Sequence, residues 1–342
     1  MNVASCKRNI NLDFLTIIAS FLVVFLHQTA QISETNIYLY IYRLIAECAV
    51  PLFVMKSGAL LLSEKGNVDY RYIGRAALRI VAIIVLWGLF YHSISNMLID
   101  GVSWLAVKKA AISVIAAETT FNYQFWYLYM LLGLYAVTPI MRQFLHHAER
   151  ADYIGFFLIS FVVGFAIPFL CRLLSIDLQV VWVERWFPFF STYLLYYSLG
   201  YYCSAHPASK QTRLILAFLV IFGGIITVLG CNGNFFGPSE AWITYDSPFT
   251  LAYATLLFSF IMKCQFEENA LFARKVVSLA ACSLGVFILH PMVIVAMRKL
   301  IHIGVSSFCP AISIPILTIV VYVICATAAW LIKKLPMLKY FI

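Results

Sequence analysis

Ten stretches of roughly twenty largely apolar residues, set apart by short polar segments, run along the chain. They lie at 11–31, 37–62, 76–99, 123–144, 152–173, 188–204, 212–231, 248–264, 276–298 and 311–332. A helix rises about 1.5 Å per residue, so each stretch can cross most or all of a hydrocarbon layer about 30 Å thick. The pattern predicts an all-α, polytopic membrane protein of about ten transmembrane helices. Segment 103–117 is only moderately apolar, carries Lys108 and Lys109, and reads equally as an interfacial helix. The first run, 12–30, is too long for the apolar part of a cleaved leader and reads as a retained span. Neither a repeat of about 20–50 residues nor a low-complexity linker interrupts the chain, so residues 1–342 read as one integral-membrane domain.

Composition makes lipid the solvent. Hydrophobic residues are 63% of the chain and charged residues 11%, with a mean hydropathy of +0.90. Soluble domains carry about 25% charge, which this chain cannot present. A net charge of +9 in a soluble protein would suggest nucleic acid. Here the basic residues are sided. With the N-terminus inside, 16 of the 24 Lys and Arg fall on the inner side and 6 on the outer, while Arg43 and Lys56 lie within the second span. That asymmetry places both termini in the cytoplasm, requires an even number of spans, and accounts for the charge without a nucleic-acid partner. The nine cysteines form no C-x-x-C pair and read as small buried hydrophobes.

No phosphate loop, H-E-x-x-H metal helix or G-x-S-x-G elbow occurs, so neither a metal site nor a resident cofactor is expected. The chemical information lies in polar groups inside apolar spans, which are costly unless paired, solvated or used. His27, about 24 Å along the first span, can act as a general base, or is a core histidine with a satisfied hydrogen bond. Arg43 and Glu47 share a helix face and can pair, and Glu47 can alternatively orient an imidazole. Lys56, near the inner end of the same span, can snorkel to the interface. Arg71, Arg75 and Arg79 follow one another at four-residue intervals and suit either phosphates or lipid headgroups. Trp126 and Tyr127 fit an interfacial aromatic belt or a platform for sugar faces, and His290-Pro291 lies inside a late span. His146, His147 and His206 fall in loops, where solvated histidines are ordinary.

Four blocks in order resemble the bacterial membrane acyltransferase family often called acyltransferase 3. They are Leu12-Asp13 leading to Phe25-Leu26-His27; Val50-Pro51-Leu52-Phe53 running to Ser57-Gly58; Phe125-Trp126-Tyr127-Leu128 with Tyr135 and Pro139; and Ser283-Leu284-Gly285 running to His290-Pro291. The resemblance implies transfer of an acyl group, usually acetyl from acetyl-CoA, to a hydroxyl of a cell-surface glycan, free or carried on a polyprenyl lipid, at the bacterial inner membrane. By position it makes His27 the catalytic histidine and Arg75 and Arg79 the arginines that follow the Ser-Gly block; in the mechanism this suggests, Glu47 can orient the imidazole. Arg71, Arg75 and Arg79 become the CoA-binding row, and Trp126, Tyr127 and His290 the acceptor-binding residues. Three positions depart from the family pattern. Thr16 stands where many members carry arginine, leaving Arg8 or Arg43 to supply that charge; Lys56 replaces an apolar residue; and Arg75 and Arg79 are four apart rather than three. A flippase for a lipid-linked sugar is the rival reading, and would be expected to show repeated halves. A pH-sensing membrane protein would need a periplasmic domain for which the chain has no room.

Overall fold

Each apolar run folds as helix, because in lipid every backbone N–H and C=O must find its partner within the segment. The computed structural model describes residues 8–32, 36–64, 68–100, 103–116, 122–174, 176, 192–230, 242–264, 266, 270–335, 338 and 341–342, and among them there is no strand. The helices are α1 Ile10–Thr29, α2 Ile37–Ala46, α3 Ala49–Leu61, α4 Tyr70–Asp100, α5 Trp104–Ile115, α6 Trp126–His147, α7 Arg150–Phe161, α8 Ile167–Leu173, α9 Leu194–Ala205, α10 Lys210–Gly230, α11 Pro248–Ile261, α12 Ala270–Leu300 and α13 Pro310–Ile332. Eight segments of the described residues are long and apolar enough to cross a membrane, each at the position of an expected span. The remaining two expected positions, 188–204 and 248–264, hold the shorter α9 and α11, and residues 188–191 lie outside the described residues. The ambiguous segment 103–117 contains the helix α5, packed on α4, and residue 117 lies outside the described residues.

α1 is the hub. Asn9 caps it by accepting the N–H groups of Asn11 and Leu12, and Asp13 in its first turn suits the positive end of the helix dipole. It packs against α2, α3, α12 and α13. Ser20 on α1 lies 3.2 Å from the Ser283 hydroxyl on α12 and 3.1 Å from the Tyr322 hydroxyl on α13, a polar link across three helices. α10, of which 11% of the spanning window is buried, stands at the lipid-facing edge.

Prolines interrupt the backbone hydrogen-bond ladder in several spans. Pro51 has no N–H for the Glu47 carbonyl four residues earlier, so the second span breaks at Glu47–Cys48 between α2 and α3. Pro315 likewise releases the Ala311 carbonyl, which accepts the Tyr42 hydroxyl at 2.8 Å and ties α2 to α13. Pro168 releases Gly164, whose carbonyl accepts the Thr192 hydroxyl at 3.1 Å. Irregular backbone at membrane depth is thus kept inside protein.

Candidate functional site

Two polar regions flank one aromatic partition. The first is built where α1 and α12 end their shared packing. His27, half-buried in the last turn of α1, stacks on His290 of α12 with ring centroids 4.9 Å apart and planes inclined by 23°. Tyr123, in the short turn before α6, meets the same ring edge-on at 4.8 Å and is itself 40% exposed. His290 is fully buried, and its Nδ1 lies 3.0 Å from the Val286 carbonyl. A carbonyl can only accept, so Nδ1 carries the hydrogen and Nε2 of the neutral ring is an acceptor. That Nε2 has no partner among the described residues, nor do Oδ1 of Asn122 and Oε1 of Gln124 on the adjoining turn. The Gln124 amide nitrogen and the Tyr91 hydroxyl both donate to the Ile288 carbonyl, which holds the turn against α12 beside Pro291. Three unpaired buried acceptors in one neighbourhood suit a ligand that brings O–H donors.

The second region is a cavity of about 740 Å³ walled by α1, α3, α4, α6 and α12. Lys56, Arg75 and Arg79 line it, together with Thr16, Ser57 and Ser283, and among the described residues of the lining there is no Asp or Glu. Arg71 is not on the wall. Successive four-residue steps rotate about 40° around a helix, so a row of three drifts away from any one face. Arg71 remains exposed at the start of α4, where its carbonyl accepts the Arg75 Nε at 3.3 Å. Around the mouth, Arg8 holds Asp13 with two bonds of 2.5 and 3.0 Å, and this hydrogen bonding raises the Arg8 pKa. Just beyond α13, Lys333 donates to the Ala281 carbonyl. Burial, reinforced by the nearby guanidiniums of Arg79 and Arg8, lowers the Lys333 ammonium from its ordinary value. The mouth is electropositive.

Tyr127 and Phe287 form the partition. Both line the cavity, with rings 5.6 Å apart, and the Phe287 ring lies 6.4 Å from that of His290. His27 does not line the cavity. A chain of ring contacts through His290 connects it to the cavity-lining Phe287.

Other expected site residues separate. Glu47 is buried at the α2–α3 break, where its electrostatic neighbours are Arg43 and Asp246. No hydrogen bond among the described residues joins it to His27, whose ring neighbours are His290 and Tyr123. Arg43 donates to the Ile32 carbonyl at 3.3 Å instead of forming an ion pair with Glu47. Trp126 and Tyr127, adjacent in sequence, diverge. Trp126 faces Tyr193 and Tyr245, each at 5.7 Å, whereas Tyr127 faces Phe53 and Phe287 across the cavity.

A family model for an acyltransferase domain matches residues 9–333, nearly the whole chain. The chain belongs to the acyltransferase 3 family. Neither curated proteins nor solved structures returned a match. As a family member it is a multi-pass membrane acyltransferase, with the His27–His290 pair and the cationic cavity as its candidate active site. Sequence reasoning missed Tyr123, Phe287 and Ser283 as parts of that site. The only signal they gave was membership of the two matching blocks, or closeness to them.

Proposed function

We propose that this acyltransferase moves an acetyl group from acetyl-CoA to a hydroxyl of a cell-surface or lipid-linked glycan at the bacterial inner membrane. The observation that carries the reading is the cavity, whose described lining has no carboxylate, running from Arg75 and Arg79 to the Tyr127–Phe287 ring pair, next to the His27–His290 stack. In this reading the basic end faces the cytoplasm, which the sided distribution of Lys and Arg supports. Acetyl-CoA enters there and sets its phosphates on Arg75 and Arg79, whose planar forks match phosphate oxygens. Its acyl arm passes between Tyr127 and Phe287. The glycan approaches from the opposite end, where Tyr123 is exposed and the unpaired acceptors on His290, Asn122 and Gln124 take its hydroxyl hydrogens.

His27 removes the proton from one hydroxyl as that oxygen attacks the thioester carbonyl. The new C–O bond replaces the C–S bond, the CoA thiolate leaves, and the proton on His27 passes to it. His290 fixes the plane of the His27 ring by stacking; that contact supports the orienting role better for His290 than for Glu47, which has no bond to His27.

The test is incubation of the purified protein with acetyl-CoA radiolabelled in the acetyl group and a polyprenyl-linked glycan. Label appearing in the glycan supports the reading, and no transfer by the wild type overturns it. Accumulation of lipid-linked sugar in vesicles without any acyl donor would support the flippase instead. Arg79→Ala is expected to raise the KM for acetyl-CoA about 10–100-fold, the weight of hydrogen bonds to a charged group. Arg71→Ala, off the cavity wall, is expected to change it by less than about twofold. Steady-state kinetics on the two variants checks both.

A further inference from the structure

We propose that Lys56 binds the anionic part of the acyl donor, completing a three-cation phosphate site with Arg75 and Arg79. This rests on the acetyl-CoA reading above. Three observations carry it. Lys56 lies on the cavity wall rather than on a lipid-facing surface, about 7.5 Å up α3 from Leu61, and is half-buried. No hydrogen bond or ion pair to its ammonium is present among the described residues. Asp13, the carboxylate that acts on it electrostatically, is already gripped by Arg8 through two bonds. Finally, among the described residues that line the cavity there is no Asp or Glu to neutralise it.

A cation in such a place is costly unless an anion arrives to pair with it. Its position is also fixed. Gly58, two residues on, sits against the backbone of Tyr197 on α9, so α3 has little freedom to turn Lys56 away from the cavity. On the α1 wall of the same cavity, the Thr16 hydroxyl donates to the Leu12 carbonyl at 2.6 Å and is therefore satisfied within its own helix. Thr16 supplies no charge. Arg8 is occupied by Asp13, and Arg43 donates to Ile32 and does not line the cavity. Lys56 lines the same cavity as Thr16 and the α4 arginines and is the cation that α3 brings to it. A compact ammonium takes a single phosphate oxygen, where the guanidiniums take two.

The experiment measures equilibrium binding of radiolabelled CoA to the purified full-length protein in detergent, together with KM and kcat for acetyl-CoA and for S-acetylpantetheine, which lacks the phosphates. Lys56→Met is expected to weaken CoA binding and raise the KM for acetyl-CoA by about tenfold or more, with kcat within about twofold and the S-acetylpantetheine kinetics unchanged. Lys56→Arg is expected to restore most of the affinity, as is Lys56→Met combined with Thr16→Arg, which returns the charge from the facing wall. Size-exclusion profiles matching wild type establish that the variants fold. Wild-type affinity in Lys56→Met would overturn the proposal while leaving the donor assignment intact. Equal losses on both donors, or failure of Lys56→Arg to restore binding, would make the residue structural and overturn it too. Wild-type protein that binds CoA through Lys56 yet transfers nothing would overturn the acetyltransferase reading alone. Wild-type protein that binds no CoA would overturn both.

Discussion

His27→Ala is expected to lower acetyl transfer by about 10²–10⁴-fold, the range over which a positioned general base accelerates proton removal, while leaving CoA affinity within about twofold. The separation of effects follows from the layout. Thr16 marks the cavity on α1, and His27 stands eleven residues on, about 16 Å further along the helix and behind the Tyr127–Phe287 partition. Removing the ring therefore removes chemistry without touching the phosphate site. His290 cannot take over the task unaided, since it is fully buried with Nδ1 committed to Val286, whereas His27 is half-buried beside the exposed Tyr123. Transfer rates and CoA binding measured on the same preparation decide the matter. Undiminished transfer by His27→Ala would end the general-base assignment, and a parallel loss of CoA binding would mean that the variant had damaged the bundle.

How far the sequence foretold this arrangement depends on which forces set each part. The spans were legible because the bilayer imposes a one-dimensional demand, a long apolar run with its backbone internally paired, and eight of the ten expected positions hold helical segments of crossing length among the described residues. The break within 37–62 was not foreseen, although its cause is local: Pro51 removes the donor for the Glu47 carbonyl. Partnerships between helices were harder. His27 and His290 are 263 residues apart in sequence, and only the packing of α1 on α12 makes them neighbours. Rotation about a helix axis decided the rest. Adjacent residues differ by about 100°, which sends Trp126 and Tyr127 to different surroundings, and the drift of a four-residue spacing takes Arg71 off the wall that Arg75 and Arg79 share. Lys56 illustrates the same limit, because snorkelling and lining a cavity call for the same residue at the same depth, and only the direction of the side chain distinguishes them.

Gly58→Ala and Gly200→Ala are each expected to destabilise the folded protein by about 3 kcal/mol or more, the upper range for overpacking, because the opposing atoms are main chain and cannot swing aside. A Cβ on Gly58 would stand 1.7 Å from the Tyr197 carbonyl oxygen, and one on Gly200 would stand 1.9 Å from that of Met55. The two contacts are reciprocal. α3 and α9 run antiparallel at a separation that only hydrogen side chains at these two positions permit, the means by which small residues let helices approach in membranes. Either alanine must push the helices apart. Because α3 also carries Phe53, Lys56 and Ser57 on the cavity wall, the displacement is expected to reduce CoA binding along with thermal stability. Gly74→Ala on α4 and Gly155→Ala on α7 provide the contrast: nothing lies within 4 Å of either added methyl, and replacing a helical glycine there is expected to stabilise by about 0.5–1 kcal/mol. Thermal unfolding in detergent followed by size-exclusion chromatography, run on all four variants, compares them directly. Wild-type stability in Gly58→Ala would mean that the close approach of α3 and α9 is not what holds Lys56 toward the arginines, and the cavity geometry would need another support.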